Sequence, residues 1–130
     1  TDKARSLGIK NIVGQMEATG VKRIVALGGM GVLQNEDGKY LLDAEDYPEE
    51  YKPVGREHLQ AYLFLKASAC SWTFICSPDI LAKDADNHFK AVSEHAGPGN
   101  SINAGNLALF MVQELELNQF LFQRVGISNS

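Results

Sequence analysis

The sequence lacks the cysteine and apolar patterns that mark several large classes of protein. It has only two cysteines, Cys70 and Cys76, and their spacing fits neither a CxxC redox pair nor a zinc site. We therefore expect no disulfide framework, no metal site and a reducing, cytoplasmic setting. No apolar run approaches the roughly 18–20 residues of a membrane span, and the first residues do not form a signal peptide, so we expect no membrane association.

Positive charge is also scarce. The chain has 12 basic and 16 acidic residues, a formal net charge of −4, and no cluster of lysine or arginine. Proteins that bind nucleic acid usually carry such a cluster, because it tracks the phosphate backbone. Nucleic acid is therefore excluded as the expected partner.

The residues that are present predict one α/β domain over residues 1–130. With 45% apolar residues, 130 residues are enough for one core. Apolar residues recur at helical spacing from Ala4 to Thr19, and Gly20 follows as a C-terminal cap. The run VKRIVAL at 21–27 is typical of a central strand covered on both faces of a parallel sheet.

The second half continues the alternation of helices and strands. We predict a helix over 54–68, a strand over 72–76 that Ser77 and Pro78 end, and a minor strand over 88–92. Asn103 is placed to cap a further helix, and 120–127 is the last predicted strand. The strand, helix and strand between 21 and 76 form a parallel crossover.

These elements predict a partial Rossmann-like fold: a parallel sheet with flanking helices, equivalent to the back half of a doubly wound domain. The Gly-rich front half is missing, and the chain begins without methionine inside the first helix. The strand at 21–27 therefore keeps an exposed apolar edge. We expect that edge to be covered by an N-terminal half or by pairing with another chain, for example in a homo-oligomer.

A long acidic segment over 34–53 separates the first strand from the next helix. Loops of this length are either lids and binding segments or solvated, variable insertions, and the pattern leaves both open. Tyr40, Tyr47 and Tyr51 would supply partly buried contacts in the first case.

Two strand ends are candidates for a ligand site. Gly29-x-Gly31 begins like a dinucleotide fingerprint, but Gln34 occupies the third glycine position and no helix is predicted after it, so a plain backbone turn is favoured. Small residues at the carboxyl end of a parallel strand still leave room for a ligand, and the strand before Ser77 ends in a similar way. His58 lies on the helix between them and either contacts a ligand or is an ordinary half-buried histidine.

Several segments together resemble the NAD(P)H-binding, atypical short-chain dehydrogenase/reductase group, particularly flavin reductase/biliverdin-IXβ reductase-type and NmrA-like proteins. They are Asn11-Ile12 with Gly20 to Val25, His58, Ser68-Ala69-Cys70-Ser71-Trp72-Thr73, Pro78-Asp79-Ile80, and Gly105 to Met111.

The resemblance implies NAD(P) as cofactor and a set of cofactor-binding residues, with no catalytic residue assigned. Gly28, Gly29 and Met30 would lie where the family places small or hydroxyl residues beside nicotinamide, and His58 lies near a position that holds lysine or histidine in other members. The facing wall would include Cys76, Ser77, Pro78 and Ile80. We expect the Tyr-x-x-x-Lys pair of classical members to be absent, because Tyr51 is followed by Gly55.

Three functions remain open, and whether the chain is an enzyme is open with them. The first is an NAD(P)H-dependent reductase that transfers hydride to a small flat acceptor, such as a flavin or quinone, with this chain supplying the nicotinamide and substrate side. The second is an NmrA-like protein that binds a dinucleotide or a partner without turnover. The third is a truncated domain that pairs through its sheet edge and binds no cofactor.

Overall fold

In the computed structural model, which describes residues 2–130, three α-helices flank a four-stranded sheet. The helices are α1 (Ala4–Thr19), α2 (Lys52–Lys66) and α3 (Ala104–Leu117). The strands are β1 (Arg23–Gly29), β2 (Ser71–Ser77), β3 (Asp79–Leu81), β4 (Phe89–Ser93), β5 (Ser101–Asn103) and β6 (Gln123–Asn129).

The sheet has the order β1-β2-β6-β4. Its first three strands are parallel, and β4 pairs with β6 in antiparallel fashion. The short strands β3 and β5 form a separate parallel pair. This parallel-dominated sheet with helices around it confirms the predicted Rossmann-like fold class.

The strand β2 lies at the centre of the core. Trp72, Phe74 and Cys76 are buried in a cluster with residues of α1 and α2. Ile75 points to the opposite face and packs in a second cluster that includes Phe110 of α3. Both faces of the strand are therefore covered, which explains why its sequence is an almost continuous apolar run without polar alternation.

The helices agree closely with the sequence pattern. The helix α1 has the predicted bounds, and Gly20 ends it with φ of 79°, a left-handed conformation that favours glycine. The helix α2 begins at Lys52, two residues before the predicted start. In its first turn lies Pro53, whose missing N–H removes no helical hydrogen bond there.

The strand predicted over 21–27 as a central strand is an edge strand. It runs from Arg23 to Gly29 and pairs only with β2 among residues 2–130. Gly28 and Gly29 extend it because they pair in register with Cys76 and Ser77. Leu27 of this edge strand is 44% exposed, and the covering of the edge by an N-terminal half or another chain stays a prediction.

Asn103 occupies the predicted cap position of α3, but its side chain makes no capping hydrogen bond. Instead its amide donates to the carbonyl of Asp84 at 3.3 Å, and its oxygen accepts from Asn129 at 3.0 Å. The side chain of Asn103 therefore links α3 to the end of β6.

The last strand starts later than predicted, at Gln123, because Phe122 adopts a positive φ of 60° just before it.

A buried carboxylate joins three parts of the fold. Glu114 of α3 is 1% exposed. Its Oε2 atom accepts hydrogen bonds from Arg23 at 2.8 Å, from Thr73 at 2.8 Å and from the backbone N–H of Phe120 at 3.0 Å. These bonds tie α3 and the turn after it to β1 and β2. Because a buried charge is stable only when it is paired, the contacts depend on one another.

Replacing this carboxylate tests the network. We expect Glu114→Ala to lower the free energy of unfolding by about 3 kcal/mol, because Arg23 and Thr73 lose their shared acceptor. Urea denaturation would measure the loss. The control is Glu116→Ala on the same helix, whose side chain is exposed and should cost less than about 0.5 kcal/mol. Equal losses in the two variants would contradict the assigned role of Glu114.

Candidate functional site

A cavity of about 650 Å³ lies at the carboxyl ends of β1 and β2. Gly29 and Ser77, the last residues of the two strands, are register partners, so both border the same opening. Ligands of open parallel sheets bind in this position because the strand ends leave a crevice there. The lining residues are Gly29, Met30, Leu41, Ala44, Asp46, Tyr47, Pro48, Tyr51, Val54, Gly55, His58, Ser77, Pro78, Asp79 and Asn100.

The two glycines at the end of β1 are required by close packing. A Cβ atom on Gly28 would lie 2.3 Å from the ring of Phe74, and one on Gly29 would lie 2.5 Å from Nδ1 of His58. Contacts this short cannot form without displacing a neighbour. His58 of α2 therefore packs directly on the end of β1 and forms part of the cavity wall.

The segment over 34–53 forms another wall of the cavity. Its residue Leu42 is fully buried, and a Cβ atom on Gly55 would lie 2.8 Å from Leu42. Gly31 leaves similar room for the hydroxyl of Tyr47, which would lie 2.8 Å from a Cβ atom there. The segment is thus packed against α2 and the turn after β1, with Leu42 as its buried anchor.

The turn after β1 is a plain backbone turn, as predicted. A three-residue 3₁₀-helix, Met30–Val32, follows the strand in place of a long helix. Gly31 lacks a side chain because Tyr47 packs there, and it does not open a helix whose N–H groups would face a phosphate. No residue of this turn is therefore assigned to pyrophosphate binding.

Burial changes the acid–base behaviour of two residues in the cavity wall. It lowers the pKa of His58 below its usual range, and the charge of Arg5 lowers it further while Glu57 opposes the shift. Burial also raises the pKa of the Tyr47 phenol, and Tyr51 adds to that effect. At neutral pH both side chains are uncharged, so each presents a polar group that can donate or accept a hydrogen bond.

The structure brings five of the eight predicted site residues together. Gly29, Met30, His58, Ser77 and Pro78 line the cavity, whereas the other three lie outside its lining. These are Gly28, which packs on Phe74; Cys76, which is 0% exposed; and Ile80, which is 49% exposed on β3. Burial raises the pKa of the Cys76 thiol, so the thiol stays protonated. A cofactor-binding role for all eight residues stays a prediction.

About half of the lining residues carry no signal in the sequence that marks them as part of a site. Leu41, Ala44, Asp46 and Pro48 come from the segment over 34–53, in which the sequence predicts contacts only for the tyrosines. Asn100 comes from the distant segment between β4 and β5. Nothing local in the sequence indicates that Asn100 reaches the ends of β1 and β2.

One Tyr-x-x-x-Lys spacing does occur, which corrects the expected absence of the pair. It is formed by Tyr62 and Lys66 on α2, but Tyr62 is only 4% exposed and does not line the cavity. Its ring lies 5.6 Å from the ring centroids of both Trp72 and Phe74, and Lys66 lies 5.9 Å above it. Tyr62 is therefore a core residue in this fold.

The environment of His58 leads to a titration experiment. Because burial and Arg5 both disfavour the imidazolium, we expect an NMR titration to give His58 a pKa below 6.5, its unperturbed value. Protonation then costs the folded state more than the unfolded state, so His58 reduces stability as the pH falls below about 6.5. Arg5→Gln should raise the pKa of His58, whereas Lys90→Gln, a matched charge removal on β4, should leave it unchanged. A pKa above 6.5 in the unmodified protein would contradict this assignment.

Two other properties follow from the described residues. No helix within residues 2–130 is long and apolar enough to cross a membrane. In the same part of the chain, no three His, Cys, Asp or Glu side chains are grouped closely enough to hold a metal ion.

Solved structures share this fold. A protein from Burkholderia pseudomallei, provisionally assigned as exported, is 27% identical with a TM-score of 0.87, and the match covers 98% of this chain and 66% of that one. A protein from Streptococcus pneumoniae, provisionally assigned as an NADH-flavin reductase, is 22% identical with a TM-score of 0.83, and the match covers 100% of this chain and 67% of that one. An anaerobillin reductase from Escherichia coli is 12% identical with a TM-score of 0.80, and the match covers 97% of this chain and 59% of that one.

The chain thus spans about two thirds or less of the length of these structures. Among curated proteins, none matches the sequence significantly. The profile of the NAD(P)H-binding family matches residues 1–117, which is most of the chain. The chain therefore belongs to the NAD(P)H-binding family, as its resemblance to atypical short-chain dehydrogenases/reductases predicted.

Proposed function

We propose that the chain forms the nicotinamide and acceptor side of an NAD(P)H-dependent reductase. The observation that carries this proposal is the cavity at the paired ends of β1 and β2, bordered by Gly29, His58 and Ser77. A cavity of about 650 Å³ is large enough for a planar ring system. A flavin, a quinone or a similar flat molecule would be the acceptor.

The residues present fit the nicotinamide end of the cofactor. Gly29, Met30, Ser77 and Pro78 would hold it, because they give a compact wall at the strand ends and Gly29 exposes backbone without a side chain. When bound, NADH or NADPH would supply the hydride. Pyrophosphate binding is assigned to no residue of this chain, since the glycines after β1 form a plain turn.

The chain's own side chains would orient the acceptor. His58 stays neutral near pH 7 because of its burial, so it can hydrogen-bond a carbonyl or ring nitrogen without adding charge. The raised pKa of Tyr47 keeps its hydroxyl protonated and able to donate. Tyr51 is 59% exposed at the cavity, where its ring can cover a flat ligand.

A second candidate function is binding of the dinucleotide without turnover. It is favoured by the position of Tyr62 and Lys66, since Tyr62 is buried in the core, Lys66 is exposed and neither residue lines the cavity, so the pair offers the cavity no proton donor of the classical kind. The two candidates predict the same cofactor binding. They differ in whether an acceptor is reduced.

Filling the cavity distinguishes its role from that of the surface. Val54 lines the cavity and is 38% exposed, so Val54→Trp should fold and occupy ligand space. The matched control is Val112→Trp, because Val112 is 54% exposed on α3, away from the cavity. We expect Val54→Trp to lower the rate of NADH- or NADPH-dependent quinone reduction about tenfold or more, a loss of about 1.4 kcal/mol of binding or transition-state stabilisation.

Reduced-nicotinamide absorbance would follow the reaction, and calorimetry would follow cofactor binding. Binding of NADH or NADPH without oxidation of either by flavin or quinone would favour the non-catalytic candidate. Equal activity in the Val54→Trp and Val112→Trp proteins would place the reaction outside this cavity.

A further inference from the structure

The charges around the cavity are of one sign. Two of its fifteen lining residues are carboxylates, Asp46 and Asp79, and none is lysine or arginine. Both aspartates are exposed, so they lie where a ligand enters from solvent. They come from separate elements, since Asp46 lies in the segment over 34–53 and Asp79 begins β3 just after the end of β2.

The other polar side chains of the cavity do not compensate this negative charge. Burial and Arg5 favour the uncharged form of His58, and burial raises the pKa of the Tyr47 phenol, so neither side chain supplies a positive charge near pH 7. Ser77 and Asn100 contribute only dipoles. The cavity wall therefore carries a net negative charge at neutral pH.

Three basic residues line a different surface. Lys3, Lys52 and Arg56 line a separate groove, which shares no lining residue with the cavity. Lys52 is paired there with Glu49 at 2.7 Å. Arg5 influences His58 but does not line the cavity. Among the lining residues, the two aspartates are thus the charged side chains that a ligand would meet.

We propose that the cavity selects uncharged, largely apolar flat acceptors and discriminates against acceptors that carry a phosphate, sulfonate or carboxylate group. The inference rests on the proposed reductase function and names the class of acceptor for the same site. An anionic acceptor would bring its charge close to Asp46 and Asp79, and repulsion of like charges weakens such binding. The loss of affinity becomes smaller as the salt concentration rises, because both carboxylates are exposed and salt screens them.

Riboflavin and flavin mononucleotide (FMN) are matched probes, since they share one ring system and differ only in a phosphate. We expect FMN to bind the purified protein on the order of five- to tenfold more weakly than riboflavin at low salt. Flavin fluorescence titration would measure both dissociation constants. The ratio of the FMN to the riboflavin dissociation constant should approach one in about 1 M salt, where the Debye length is only roughly 3 Å.

Variants locate the effect in the cavity. In Asp46→Asn and Asp79→Asn proteins, and most of all in the double variant, the ratio of the FMN to the riboflavin dissociation constant should fall towards one. Glu116→Gln removes one negative charge from the exposed face of α3, outside the cavity lining, and should leave the ratio unchanged. A ratio that falls equally in Glu116→Gln would assign the discrimination to net charge and overturn the proposal.

The outcomes separate this inference from the function beneath it. Equal binding of the two flavins, or tighter binding of FMN, would overturn the charge selectivity while leaving the reductase proposal in place. Failure of both flavins and of neutral quinones to bind would remove the acceptor site itself, and with it both proposals. Weaker FMN binding that the two aspartate variants relieve would support the inference.

Discussion

The parallel register between β1 and β2 is the constraint on which the site depends. It places Gly29 beside Ser77, so that the chain leaves the sheet at the same height after β1 and after β2, and a crevice remains between the two exits. The register is held from both sides of the sheet: Phe74 packs against Gly28 on one face, and Glu114 anchors Arg23 and Thr73 from the other helix layer. A side chain at Gly28 or Gly29 would force Phe74 or His58 away and disturb the wall of the cavity.

The segment over 34–53 owes its position to small residues elsewhere. Gly31 and Gly55 leave space for Tyr47 and Leu42, and the burial of Leu42 fixes the segment against α2. Arg124 of β6 supports this segment and the turn before it, because its guanidinium donates to the carbonyl of Val32 in that turn at 2.9 Å and lies 5.7 Å above the ring of Tyr40 in the segment. A stretch with little regular structure thereby becomes a defined wall, since contacts from several elements hold it.

The sequence predicted the elements better than it predicted the site. Periodicity and Gly20 located α1, and the apolar run of β2 indicated burial on both faces, because these signals are local. The three-residue strands β3 and β5 have no such signal. The contact of Asn100 with the cavity depends on the path of the chain between β4 and β5, which no local pattern encodes. Strand ends could be recognised as candidates because the carboxyl ends of parallel strands must meet at one edge of the sheet.

Burial, more than spacing, decides which tyrosine is available for chemistry. Tyr62 has a lysine four residues later, on the next turn of the same helix, yet its ring packs against Trp72 and Phe74 and its hydroxyl does not reach the cavity lining. Tyr47 has no such lysine but lines the cavity. Because proton transfer requires contact with the reacting atom, a helical spacing is informative only when that face of the helix meets the site. In α2 the side chain of Tyr62 is buried in the core. The first turns of the helix, with Val54, Gly55 and His58, border the cavity instead.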